Sequence, residues 1–243
     1  PDVIHIQSHG HMLFFLISLF TKKPIVNTIH DAKPHYGDLH TKSYKIAPLF
    51  GNLFSKHFIT HSEYTKRVLV RNSKIQPTKV SVVPLSNPFK QQKNSNHGAG
   101  LEKKKVLFMG RIWRYKGLHV LINSEPYITK YFPNYKIIIA GVGEEFKKYE
   151  SIMLNKDKFT IINKRISFKD LLELVESSDF LVLPYLEATQ SGIVNLASSF
   201  RKPIICTDVG GLPEQVINMK TGIIVPPNNP KMLATSIVSL LKD

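Results

Sequence analysis

Short, nearly unbroken apolar runs recur along this chain, and stretches of helical periodicity separate them. Residues 3–7, 24–29, 57–60 and 79–84 read as strands in the first third. Residues 10–20 read as a buried helix, 38–55 include another, and Ser62 stands where it would cap a helix over 63–71, with Glu63 in the first turn. A second series of strands, at 106–109, 136–140, 159–162, 180–183, 204–207 and 223–225, alternates with helical stretches at 117–124, 144–154, 167–176, 192–200 and 229–241. Ser167 and Asp170 have the spacing of a capping box. Strands that are apolar on both faces need helices on both sides, which is the condition of a parallel sheet. The fold class is therefore α/β, with two Rossmann-like parallel-sheet domains facing a cleft. Residues 91–102 (QQKNSNHGAGLE) are polar and aperiodic, and they form the expected linker. The division is a partial first domain over 1–90, a linker over 91–103 and a second domain over 104–243. In open α/β sheets ligands sit beyond the carboxyl ends of the strands, so the chemistry belongs in the loops that follow them.

Composition narrows the functional classes. The 243 residues are 42% hydrophobic and 21% charged, the balance of a globular chain. Residues 12–20, the longest apolar run, are too short to cross a bilayer, and nothing resembles a signal peptide. The single Cys206 has no partner for an internal disulfide, and a cytoplasmic setting follows as the expectation. A net charge of +15 and a pI of about 9.8 favour anionic partners: nucleic acid, acidic lipid or phosphorylated small molecules. A lysine-rich composition without functional meaning is the competing explanation. No helix-turn-helix, zinc or RNA-recognition pattern is present, which argues against specific nucleic-acid binding. Pro1 leads directly into an apolar strand, so the chain is expected to begin inside a domain.

Several post-strand loops carry reactive side chains. In Val106-Leu-Phe-Met-Gly-Arg-Ile-Trp-Arg-Tyr-Lys-Gly117 a buried strand ends at Gly110, and Arg111, Arg114 and Lys116 follow before a helix opens. Arginine offers a planar fork to phosphate oxygens and lysine a mobile point charge; a solvated basic loop is the plainer alternative. Ile137-Ile-Ile-Ala-Gly-Val-Gly-Glu-Glu145 resembles a dinucleotide fingerprint but lacks its third glycine, and reads better as a tight strand-to-helix turn. Leu183-Pro-Tyr-Leu-Glu-Ala-Thr-Gln-Ser-Gly-Ile-Val-Asn195 places Glu187 and Gln190 after a buried strand, with Ser191 and Gly192 at the start of an apolar helix. Unpaired amides and the helix dipole would attract an anion there. A carboxylate beside such a site makes chemical sense where it holds sugar hydroxyls; the alternative for Glu187 is a charge at a helix N-terminus. Lys202-Pro-Ile-Ile-Cys-Thr-Asp-Val-Gly-Gly-Leu-Pro-Glu214 adds a strand, a diglycine turn and a short helix, and Thr221-Gly-Ile-Ile-Val-Pro-Pro227 closes the series.

In this order, the G-R-x-x-x-x-K-G element, the E-x-x-x-S-G loop, the K-P-I-I-x-T-D-V-G-G-x-x-E run and the T-G-x-x-V-P-P tail resemble the retaining glycosyltransferases of the GT-B fold, family four (glycosyl transferases group 1). The match covers essentially all of 105–241. Residues 3–85 match more loosely, through P-D-V-I-H-I-Q, T-I-H-D and I-T-H-S-E, as the later part of the N-terminal acceptor-side domain. The resemblance implies a nucleotide-diphosphate-sugar donor and transfer to a hydroxyl acceptor. Arg111 and Lys116 would grip the diphosphate next to Gly110, Glu187 would hold sugar hydroxyls, and Ser191, Gly192 and Ile193 would offer backbone amides. The base would lie near Arg165 and Ile166. No cofactor is implied, and no metal ligands, because protein cations take the metal's electrostatic role. It further implies that the first strands and a glycine-rich loop precede Pro1 and that a closing helix follows Asp243.

One position departs from the family. A second glutamate, eight residues after the first, usually binds ribose hydroxyls; here it is Asn195, whose amide oxygen still accepts but carries no charge. In the first domain His30 and Asp31 follow a strand, His30 as a hydroxyl partner or polarising group and Asp31 as a candidate base; a structural role for His30 is the alternative. His61 also follows a strand. The implied setting is cell-surface polysaccharide or glycolipid synthesis with an acceptor such as a lipid-linked saccharide, at the cytoplasmic face of an anionic membrane. The competing functions are a noncatalytic sugar-nucleotide-binding protein and a sugar-nucleotide epimerase on the same fold.

Overall fold

A computed structural model describes residues 2–7, 20–33, 54–86, 104–143 and 146–243. Contacts divide the chain into two compact units, Pro1–Leu85 and Ser86–Asp243. The expected linker and most of the expected helices over 10–20 and 38–55 lie outside the described residues. Phe20, at the end of the first, sits in a turn and is 88% exposed, so that end is not buried. No helix among the described residues is long and apolar enough to cross a membrane.

The first unit is a parallel sheet in the order β1-β2-β3-β4, built from β1 (Ile4–Ile6), β2 (Ile25–Ile29), β3 (Ser55–Thr60) and β4 (Val80–Val82). Between β3 and β4 runs α1 (Glu63–Ser73), capped as its sequence predicts: the Thr65 amide donates to Ser62 Oγ at 3.0 Å. Ile29, Phe58, Leu69, Ile75 and Val80 close the core beneath it.

The second unit holds a six-stranded parallel sheet. In chain order its elements are β5 (Lys104–Met109), α2 (Leu118–Tyr131), β6 (Tyr135–Ala140), α3 (Phe146–Glu150), β7 (Phe159–Ile162), α4 (Phe168–Ser177) and β8 (Phe180–Leu183). Then come α5 (Gly192–Ser199), β9 (Ile204–Thr207), α6 (Leu212–Gln215), β10 (Gly222–Val225) and α7 (Pro230–Lys242). Alternate residues of β5 serve opposite layers: Val106 and Phe108 pack with α2 and α7, Leu107 and Met109 with β8 and α5. Each face is thus apolar because each face is covered. The strand order is β10-β9-β8-β5-β6-β7, so the chain starts in the middle, builds to one edge, returns and builds to the other. That is the Rossmann order, with its switch point between β5 and β8. Helices α2 and α5, which follow these two strands, lie on opposite faces of the sheet.

Two helices differ from their expected lengths by more than two residues. α2 runs on past Ser124, through Pro126, to Tyr131. Interior proline costs about 3 kcal/mol, but Ile128 beyond it is fully buried and holds the last turns against the core. α3 is shorter than expected; Phe146, Tyr149 and Met153 reach the core, while Leu154 is exposed.

Candidate functional site

The switch point brings the loops after β5 and β8 together. β5 ends at Gly110, whose φ of +124° suits glycine and whose amide donates to Ala140 O at 2.9 Å. A Cβ on Gly141 would stand 1.8 Å from Gly110 O, and one on Gly143 would stand 2.4 Å from Ile112 Cβ. The Gly-x-Gly sequence after β6 is therefore a close-packing device, the tight turn its pattern predicts. After a 3-10 turn (Arg114–Lys116), Gly117 takes φ +67°, and a Cβ there would lie 1.8 Å from Pro184 O. The Leu186 amide donates to Tyr115 O at 2.7 Å. Backbone contacts thus stitch the two loops together.

Aromatic faces position the cations. The Arg111 guanidinium lies 4.3 Å from the Trp113 ring centroid. Lys116 Nζ lies 3.8 Å from the Tyr185 ring and 5.1 Å from Tyr115, and Trp113 meets Tyr115 edge to face at 5.9 Å. Such contacts restrict long side chains without neutralising them. Tyr185 is fully buried, and its hydroxyl has no well-formed hydrogen bond among the described residues. Burial pushes its pKa well above the ordinary tyrosine value, partly offset by the neighbouring Ser191 side chain.

The loop from Pro184 to Ser191 is held from behind. Thr207 Oγ1 donates to Tyr185 O at 2.6 Å, and the first glycine of the diglycine turn, Gly210 (φ +58°), leaves no room for a Cβ against Ala188 O, 1.5 Å away. Glu187 is half-buried on this loop. At the start of α5 one expectation is corrected. The Ser191 amide is not available to an anion, because it donates to Gln215 Oε1 at 2.8 Å. Nor does the Ser191 side chain cap the helix, whereas Ser62, Ser167 and Asn229 cap theirs. The amides of Gly192 and Ile193 meet no acceptor among the described residues. A Cβ on Gly192 would meet nothing within 4 Å, and one on Gly110 would touch Ile193 Cδ1 at 3.5 Å, so the helix start faces open space beside the end of β5.

Asn195, one turn along α5, donates through Nδ2 to Ser86 O at 3.2 Å. Arg165 and Ile166 follow β7, which β6 separates from β5, so they stand apart from the stitched loops. Arg165 is exposed; Ile166 packs at the rim of the core and lines a groove of about 450 Å³ with Ile162, Lys164 and Asp170. In the first unit, His30 and Asp31 follow β2 and His61 follows β3, and the rings of His30 and His61 stand 4.9 Å apart. His61 Nδ1 lies 2.8 Å from Val83 O, which can only accept, so Nδ1 is the donor of that bond.

Residues 89–243 match the glycosyl transferases group 1 family, and residues 1–85 match glycosyltransferase family 4. The chain belongs to the glycosyl transferases group 1 family. An uncharacterized glycosyltransferase of Methanocaldococcus jannaschii is 26% identical, covering 100% of this chain and 66% of the relative. The capsular polysaccharide biosynthesis glycosyltransferase CapM of Staphylococcus aureus is 26% identical, over 76% of this chain and 52% of its own length. The chain thus spans between half and two thirds of these relatives. Among solved structures, Anabaena HepE in complex with UDP and glucose superimposes with a TM-score of 0.83 at 17% identity, over 100% of this chain and 68% of that one. The two parallel-sheet units are those of the GT-B fold.

Within this group 1 chain the family motifs account for Arg111, Lys116 and Glu187 but not for the residues that hold them. Trp113 and Tyr185 leave a trace in the sequence, as aromatics interleaved with or following cations. Gln215 leaves only a polar side chain at the end of a four-residue helix, and its partner 24 residues away is visible only in three dimensions.

Proposed function

We propose that this chain carries the donor-binding domain and part of the acceptor-side domain of a retaining glycosyltransferase. It moves a sugar from a nucleotide diphosphate to a hydroxyl acceptor. One observation supports this above the others: two stitched loops at the switch point present Arg111 and Lys116 on aromatic faces, an open helix start at Gly192 and Ile193, and the Glu187 carboxylate. The cations and amides suit a diphosphate, and the carboxylate suits the hydroxyls of the attached sugar. As the bond from the anomeric carbon to the phosphate oxygen breaks, its electron pair stays on the diphosphate, where fixed positive groups stabilise the growing charge. The acceptor oxygen bonds to the same face of the sugar, and its proton passes to the departing phosphate. Arg111 and Lys116 do electrostatic work that a metal ion does elsewhere. Arg165 and Ile166 would border the base, Asn195 a ribose hydroxyl, and His30 and Asp31 the sugar or acceptor.

The name of CapM favours cell-surface polysaccharide synthesis, and the UDP and glucose held by HepE favour a uridine-linked hexose. A net charge of +15 favours peripheral docking at the cytoplasmic face of an anionic membrane. A noncatalytic sugar-nucleotide binder is the second reading; Asn195, in place of the family's second glutamate, favours it. The test is full-length protein assayed for binding and turnover against a panel of nucleotide sugars, with Arg111→Ala and Glu187→Ala alongside. Arg111→Ala is expected to lower kcat/KM by about 100-fold or more. Unchanged donor affinity and turnover in Arg111→Ala would refute the phosphate assignment, and binding without turnover in the wild type would select the second reading.

A further inference from the structure

The start of α5 has an unusual support. Ser191 has φ −142° and ψ 121°, an extended conformation in which a residue's own N–H and C=O point to the same side. Gln215 meets both. Its Oε1 accepts from the Ser191 amide at 2.8 Å, and its Nε2 donates to Ser191 O at 3.2 Å. A primary amide carries the same acceptor and donor as a peptide group, so Gln215 pairs with Ser191 as a neighbouring strand would. Glutamate could not donate the second bond, asparagine is one methylene shorter, and an apolar side chain could make neither.

The pairing settles three things at once. It removes the Ser191 amide from any ligand, so the anion seat consists of Gly192 and Ile193. It holds the last residue of the Glu187 loop, while Gly210 and Thr207, on the turn and strand before the same short helix, press on Ala188 O and Tyr185 O. It also leaves the Ser191 side chain uninvolved in capping, so the amide end of α5 stays open.

We infer that Gln215 is a positioning residue for the donor: its carboxamide clamps the Ser191 peptide and thereby sets both the Glu187 loop and the two-amide seat at Gly192 and Ile193. The inference rests on the proposed function for its ligand, a nucleoside diphosphate, but not for the clamp itself. Two measurements on full-length protein separate these. Hydrogen exchange of unliganded protein reports the clamp. In Gln215→Leu the amides of residues 187–191, the Ser191 amide above all, should exchange at least tenfold faster than in the wild type, with the sheet strands unchanged. Titration with UDP, and steady-state kinetics with the donor, report the ligand. Donor Kd and KM should rise roughly tenfold, with acceptor KM unchanged, a split that general destabilisation does not produce. Gln215→Glu is the second variant, for use if the leucine variant does not fold. It keeps the Ser191 N–H bond but sets a carboxylate against Ser191 O and near the anion seat, so its donor affinity should fall at least as far. Loop exchange unchanged in folded Gln215→Leu, or donor affinity unchanged in Gln215→Glu, overturns the clamp. Faster loop exchange with unchanged UDP affinity overturns the donor role. A wild-type protein that binds no nucleoside diphosphate sinks the proposed function and the ligand half of this inference, while exchange still decides the clamp.

Discussion

Replacing Gly192 with alanine distinguishes fold from ligand at a single atom. Gly192 is the first residue of α5, it is exposed, and a Cβ there meets no protein atom within 4 Å. Its φ is not among the positive values, so alanine fits without strain. Glycine-to-alanine at a compatible site stabilises by roughly 0.4–1 kcal/mol, chiefly by restricting the unfolded chain. In a unit of this size that is about 1–4 °C in Tm. Every Cβ in a helix tilts toward the N-terminus, so the new methyl occupies the space in which an anion would approach the Gly192 and Ile193 amides. Losing one charge-assisted hydrogen bond there costs about 1.5–3 kcal/mol, or roughly 10- to 150-fold in Kd. Thermal melts and UDP titration on the same preparation should therefore move in opposite directions: Tm level or higher, affinity lower. Gly210→Ala is the contrast. Its Cβ would lie 1.5 Å from Ala188 O at φ +58°, so the loop must shift, and both stability and affinity should fall. If Gly192→Ala binds UDP as tightly as the wild type, no phosphate sits at this helix start and the proposed site is wrong.

Three further outcomes follow from the surroundings. Tyr185→Phe keeps the ring beneath Lys116 and removes a buried hydroxyl without a well-formed bond, so stability should change by less than about 1 kcal/mol and donor affinity hardly at all; Tyr185→Leu removes the ring face and should weaken donor binding about threefold or more, and equal affinities in the two variants would dismiss the cation–ring contact. His119, half-buried in the first turn of α2, has its pKa lowered below 6.5 by burial and then by Arg114. The folded state thus holds fewer protons than the unfolded one just below pH 6.5, stability falls as pH drops through that range, and His119→Gln should flatten this part of the Tm profile; identical profiles would refute the assignment. Cys206 is fully buried, and burial, with help from Asp208, pushes its thiol up to about 12, so a thiol reagent at pH 8 should label it only on unfolding, at a rate that follows denaturant concentration.

Much of the second unit was legible in its residues because its strands are apolar on both faces and its turns carry glycine. Strands at 159–162, 180–183 and 204–207 lie where their composition places them, and Ser62 and Ser167 cap as their positions predict. Local rules reach that far because each involves residues within a turn or two of one another. They failed at α2, where burial of Ile128 outweighs a proline, and at Ser191, whose amide looks open at a helix start until a side chain 24 residues later claims it. The order of apolar runs and glycine turns determined, by itself, a parallel α/β chain with cations and a carboxylate in loops that follow strands. Only tertiary structure decided which loops meet, which aromatic ring underlies which cation and which amides remain for a ligand. Those outcomes depend on the strand order around the switch point and on close approaches such as Gly117 to Pro184 and Gly210 to Ala188, contacts between segments distant in sequence.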